Sequence, residues 1–147
     1  MKISRFEEIE CWQQARVLVR YVYQATAGEA FKKDLRPTGQ VQAAAVSAMS
    51  NIAEGFTRKS NREFIQFLFI SLSSTAEVQS QLYVALDLGY ISEGSFRLIY
   101  DQAGAMARLI SNFIKYLRAN EKRWSQVKKP RESVVSQRNQ TNSKTRL

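Results

Sequence analysis

Two short stretches hold the side chains best suited to chemistry. Asn51 and Glu54 stand one helical turn apart beside Gly55, and Arg58, Lys59 and Arg62 follow closely. An amide and a carboxylate at that spacing could hold a ligand or work as a catalytic pair. The plainer use is a structural corner. Gly55 would end a helix, and Asn51 or Glu54 would bond backbone or Arg58 across the turn, because helix ends need such partners. A carboxylate near a helix C-terminus opposes the dipole, so Glu54 is expected to have a cationic or donor partner, with Arg58 and Arg62 nearest. Arg58, Lys59 and Arg62 lead into the next helix. Backbone N–H groups and basic side chains at such a place suit a phosphate. A solvated loop competes with that reading.

Further basic groups lie elsewhere. Lys32, Lys33 and Arg36 form a second cluster. Arg16 and Arg20 are one turn apart and read as a solvated face. Near the C-terminus, Lys122, Arg123, Lys128, Lys129 and Arg131 surround Trp124. Basic residues around an aromatic can bind phosphates and stack a base. Alternatively, Trp124 continues the apolar seam of the last helix, seven residues after Leu117.

Other chemistries are excluded by residue type. The 147 residues include no His and a single cysteine, Cys11. No His-based triad, His general base or imidazole metal site is available. One thiol forms no intrachain disulfide, and with no His beside it Cys11 reads as structural. Six scattered glycines make no phosphate loop, and no paired carboxylates fall on the inward rows. No metal, cofactor or catalytic residue is therefore expected. Glu7, Glu8 and Glu10 stand where a signal peptide would be apolar, and Phe64 to Leu72 is too short to span a membrane. A soluble, cytoplasmic protein is expected.

Charge is unevenly distributed. The net charge is +9, from 22 Lys+Arg against 13 Asp+Glu. Residues 118–147 contribute +7 of it, with nine basic residues against Glu121 and Glu132. From Ser125 onward the composition turns to Ser, Gln, Asn, Thr, Lys and Arg, with Pro130, too polar to form a core alone. Residues 1–120 read as one domain and 121–147 as a basic, flexible tail.

These groups must be positioned by helices. Phe96, Ile99, Ala103, Met106, Ile110, Phe113 and Leu117 recur at alternating intervals of three and four, with Ser92 as N-cap. Ser60 and Glu63 form a capping box for a helix through Phe64, Phe67, Leu68, Leu72, Val78, Leu82 and Leu86, stopped by Gly89. A helix from about Leu35 to Gly55 runs through Val41, Ala44, Ala45, Ala48, Met49 and Ile52. The first, about Phe6 to Ala27, turns Phe6, Ile9, Trp12, Ala15, Val19 and Val22 inward and ends at Gly28. Small residues at Ser71 to Ala76 and in the Ala/Ser-rich second helix predict close contact between those two. Short connections make the fold all-α, an up-down-up-down antiparallel four-helix bundle. The Lys32 and Arg58 turns then lie at opposite ends.

The segments FEEIECWQQA, AAAVSAMSNIAEGF, RKSNREFIQFL and QLYVALDLGYI resemble the four-helix-bundle family of 23S rRNA intervening-sequence proteins, related in fold to accessory variability proteins of diversity-generating retroelements. The resemblance spans residue 6 to about 118. It implies a homopentamer whose basic surface meets nucleic acid, RNA or DNA, and a reverse transcriptase as partner in the retroelement relatives. Two functions fit: a non-catalytic nucleic-acid-binding accessory protein, or a protein-interaction scaffold whose tail only solubilises it.

Overall fold

Each of the four apolar-periodic stretches forms a long helix. A computed structural model describes residues 3–120. A single 3₁₀ turn, Phe6–Glu8, precedes α1 (Glu10–Thr26). A one-turn helix α2 (Glu29–Lys32) follows, then α3 (Leu35–Phe56), α4 (Asn61–Asp87) and α5 (Glu93–Ala119). At 1.5 Å per residue α4 and α5 are each roughly 40 Å long. The long helices pack in the cyclic order α1, α3, α4, α5 and back to α1. This is the up-down-up-down bundle expected of short connections. Among the described residues there is no strand.

Sequence-local hydrogen bonds set the helix boundaries. Ser60 Oγ accepts from Glu63 N at 3.2 Å and its hydroxyl donates to Glu63 Oε2 at 3.2 Å. Ser92 Oγ accepts from Ser95 N at 3.1 Å. Gly89 sits at φ +71° after α4, where Gly89 N donates to Leu86 O (3.0 Å) and Tyr90 N to Ala85 O (2.8 Å). That pair of bonds satisfies two orphan carbonyls, and the left-handed backbone it needs favours glycine.

The core follows the apolar stripes with adjustments. On α5, Phe96, Ile99, Ala103, Met106, Ile110 and Leu117 are buried as expected, joined by Ile114 of the adjoining apolar row, while Phe113 is half-buried. On α1, Ile9 at the N-cap and Ala15 and Val22 are buried, joined by Cys11 and Leu18. Trp12 and Val19 are only half-buried. Phe6 precedes the helix rather than opening it, and it packs edge-on to Trp12 at 5.0 Å. α1 turns its face according to its neighbours α3 and α5, which the period alone does not specify. Each fully buried Leu, Ile or Phe contributes roughly 1.5–3 kcal/mol.

Every interface between adjacent helices also carries a polar clip. Gln42 Nε2 donates to Thr26 Oγ1 (2.9 Å) between α3 and α1. Ser71 Oγ donates to Ala48 O (2.6 Å), and Ser47 and Ser74 hydroxyls meet at 2.8 Å between α3 and α4. Those bonds show the close approach expected of the small residues. Gln102 Nε2 donates to Gln14 O (2.9 Å) between α5 and α1. Asn61 Nδ2 donates to Leu117 O (3.1 Å) between α4 and α5.

The first connection is more built than a loop. Phe31 of α2 is fully buried and stacks at a tilt on Tyr90, 5.6 Å between centroids. The Tyr90 hydroxyl donates to Asp34 Oδ2 at 2.7 Å, joining the two turns at that end. Leu35, an apolar residue at the start of α3, is 79% exposed.

Candidate nucleic-acid interface

The corner between α3 and α4 forms from backbone requirements first. α3 runs one residue past Gly55, and Gly55 has no left-handed φ. It is there because the helices approach closely: a Cβ would lie 2.6 Å from Phe64 Cδ2 and 2.8 Å from Phe67 Cβ. This corrects the expectation that Gly55 ends the helix. The last carbonyls of α3 are met by Thr57, whose N and Oγ1 both donate to Glu54 O (3.1 and 2.7 Å), and by Arg58 N to Gly55 O.

The two polar side chains of the corner do different things. Asn51 Nδ2 turns back along its own helix, donating to Ser47 O (2.8 Å) and Ser47 Oγ (3.1 Å). It thereby joins the Ser47–Ser74 pair that seals α3 against α4. Glu54 is exposed and, among the described residues, forms no ion pair with Arg58 or Arg62, contrary to the expectation. Its carboxylate is exposed to solvent and can stay hydrated, while Thr57 serves the carbonyls of the helix end.

The basic side chains past the corner are exposed. The Arg58 guanidinium lies over the Phe67 ring, 4.5 Å from its centroid, a cation–π arrangement. Arg62, in the first turn of α4, shares a cleft of about 440 Å³ with Asn61, Ile65, Phe69, Leu117 and Arg118. The Arg118 guanidinium lies over Phe69 at 5.5 Å. So the α3–α4 turn, the first turn of α4 and the last turn of α5 place Arg58, Lys59, Arg62 and Arg118 at one end of the bundle. At a helix N-terminus such cations meet the positive dipole end, which favours an anionic ligand.

Asn61 is what holds those two turns together. It is 3% exposed, its Nδ2 caps the Leu117 carbonyl, and its Oδ1 has no hydrogen-bond partner among the described residues. Nothing local in the sequence marks Asn61, because its partner lies 56 residues away.

The remaining basic residues do not join this cluster. Lys32 closes α2, Lys33 caps it and Arg36 lies in the first turn of α3. Along α3 that places them ~30 Å from Arg58 at 1.5 Å per residue. A separate cleft of about 620 Å³ lies on α1, lined by Arg5, Glu7, Trp12, Arg16 and Arg20 among others. Arg5 pairs with Glu7 at 3.5 Å. The spacing of Arg16 and Arg20 was visible in the sequence, but Arg5 and Trp12 beside them were not. Lys122, Arg123, Trp124, Lys128, Lys129 and Arg131 lie outside the described residues.

Other chemistry-bearing groups are few. Among the described residues no cluster of three or more Cys, Asp or Glu could hold a metal ion. No described helix is long and apolar enough to cross a membrane. Cys11 is buried, and loss of hydration pushes its thiol up to about 12.

Residues 7–112 match the family described as 23S rRNA-intervening sequence protein. The chain belongs to that family. Its bundle is also similar to a crystal structure from Bacteroides thetaiotaomicron, a protein of unknown function from the S23 ribosomal protein family. The TM-score is 0.66 at 20% identity, over 71% of this chain and 98% of the other. At that identity the likeness concerns the fold. No curated protein matches the chain.

Proposed function

We propose that this family member is a non-catalytic, homo-oligomeric accessory protein that binds nucleic acid through charge, with RNA as its polymer. One observation carries the reading. The Asn61–Leu117 bond sets Arg62 beside Arg118, at the end of the bundle where Arg58 and Lys59 also stand and where the chain leaves α5 for its most basic segment. The cations of this end and the +7 of residues 118–147, which includes Arg118, therefore adjoin along the chain. Phosphates are the ligand that such a concentration of positive charge suits, and binding releases counterions. The family description refers to 23S rRNA, which favours RNA. The pentamer and the reverse-transcriptase partner implied by the resemblance belong to the same proposal. Five tails of +7 each would repel one another without a polyanion.

A second reading is a protein-interaction scaffold. It is favoured by Phe69, Ile70, Tyr83 and Val84, all exposed on the outer side of α4. The test is binding of single-stranded RNA and DNA by the full chain over a salt series, with mass measured in the same samples. Affinity that falls steeply with salt supports the accessory protein. An intact oligomer that binds neither polymer overturns it and leaves the scaffold.

A further inference from the structure

The end of the bundle that carries the basic cluster also has an acidic face. A groove of about 520 Å³ runs between the start of α1 and the last turns of α5. Ile9, Leu109, Phe113 and Tyr116 give it apolar walls, and Glu8 and Glu10 stand in its lining. No described residue lining it is basic. Glu8 is held as an anion: Ser4 N and Ser4 Oγ donate to its carboxylate at 3.0 and 3.1 Å, which lowers its pKa.

The chain itself supplies a complementary segment. α5 is capped at Asn120, which leaves helical geometry at φ −121°, ψ 31°, while its N and Nδ2 both donate to Tyr116 O at 3.0 Å. Tyr116 lines the groove, so the exit of α5 lies one turn from it. The following residues read Glu-Lys-Arg-Trp-Ser-Gln-Val-Lys-Lys. Four residues reach ~13 Å when extended, and along the helix Tyr116 lies ~6 Å and Leu109 ~16 Å back from Asn120, a remainder that the length of the indole side chain spans. Trp124 is thus within reach of the apolar walls. We propose that residues 122–129 fold back from Asn120 into this groove, with Trp124 against Leu109 and Tyr116 and the flanking lysines and arginine facing Glu8 and Glu10.

The match has two independent parts. An indole fills an apolar groove with a large area at little entropy cost. Four cations against two carboxylates fix the orientation, with Arg5, engaged by Glu7, as the one described base near Glu8. The tether also makes the association intramolecular, at an effective concentration of roughly mM. Lysines parked on this face are the ones that a polyanion would have to draw off. The docking itself needs no nucleic acid, so its test stands apart from the function proposed above.

The experiment uses the full chain carrying Trp12→Phe, which leaves Trp124 as the only tryptophan. At low protein concentration and without nucleic acid, Trp124 emission is blue-shifted and several-fold less quenched by acrylamide than in the urea-unfolded chain. Glu8→Gln with Glu10→Gln, and separately Leu109→Arg, restore quenching while helical circular dichroism is kept. Quenching equal to that of the unfolded chain overturns the proposal. So does protection that ignores both changes, which would place Trp124 elsewhere, such as on a continuation of the α5 seam. Protection that disappears on dilution also overturns it, since the tail would then be a second copy's.

Discussion

Asn61 Nδ2 donates to the Leu117 carbonyl at 3.1 Å, so the first turn of α4 and the last turn of α5 are one unit. An orphan carbonyl at a helix C-terminus is satisfied from another helix, and the donor is almost fully buried. Asn61→Leu removes this bond and leaves the carbonyl without its donor, costing about 1–3 kcal/mol. Asn61→Asp removes the donor and buries a charge facing a carbonyl, and its defect is larger at neutral pH than in mild acid, where a protonated carboxyl donates again. Urea unfolding of the three proteins at both pH values checks the order.

Gly55 and Gly39 sit on the same helix and respond oppositely to alanine. At Gly55 a Cβ meets Phe64 and Phe67 atoms at 2.6 and 2.8 Å, whereas nothing lies within 4 Å at Gly39. Gly55→Ala costs about 1–3 kcal/mol through overpacking. Gly39→Ala gains about 0.4–1 kcal/mol by restricting the unfolded chain. Phe64→Leu in the Gly55→Ala background recovers part of the loss, because touching residues couple. Thermal melts of the four chains read both effects.

Burial raises the Cys11 thiol from 9.0 to about 12. The folded state therefore keeps its proton where the unfolded state has lost it. The contribution is fully present below pH 9.0 and is lost progressively as pH rises towards about 12. Cys11→Ala flattens the alkaline fall in stability relative to the parent chain. Unfolding free energies measured in steps across that window give the difference in slope. Thiol reagents that need the thiolate react slowly with the folded chain and quickly in urea.

Neutralising the basic end acts on salt dependence more than on fold. Arg62 and Lys59 are exposed, so Lys59→Gln with Arg62→Gln leaves the melting temperature nearly unchanged. Removing one cation that meets a phosphate lowers the slope of log affinity against log salt by about 0.7 on a single strand. Lys32→Gln with Lys33→Gln, at the far end, is the control: an equal drop there spreads the interface over the whole bundle, and no change confines it to the α4–α5 end. Fluorescence anisotropy of labelled RNA over a salt series measures both.

Much of the architecture was legible because it depends on neighbours in the chain. Four apolar stripes, the Ser60 and Ser92 caps and the Gly89 stop are set by periodicity and by bonds reaching three to five residues. The small faces of α3 and α4 predicted close packing, and the Ser71–Ala48 and Ser47–Ser74 bonds show it. The buried one-turn helix around Phe31 was not legible, since four residues have no period to read.

The candidate site divides along the same line. The sequence by itself determined that Arg58, Lys59 and Arg62 stand at a helix start, and that most of the net positive charge lies beyond residue 117, since both are facts of order along the chain. Only the tertiary structure decided that Asn61 bonds Leu117 and brings Arg118 into one cleft with Arg62. It also decided that Gly55 serves close approach rather than termination, and that Cys11 and Leu18 face inward ahead of Trp12 and Val19. The reason is physical. A stripe of given period fits a range of rotations about the helix axis, and side chains of the neighbouring helices select one of them.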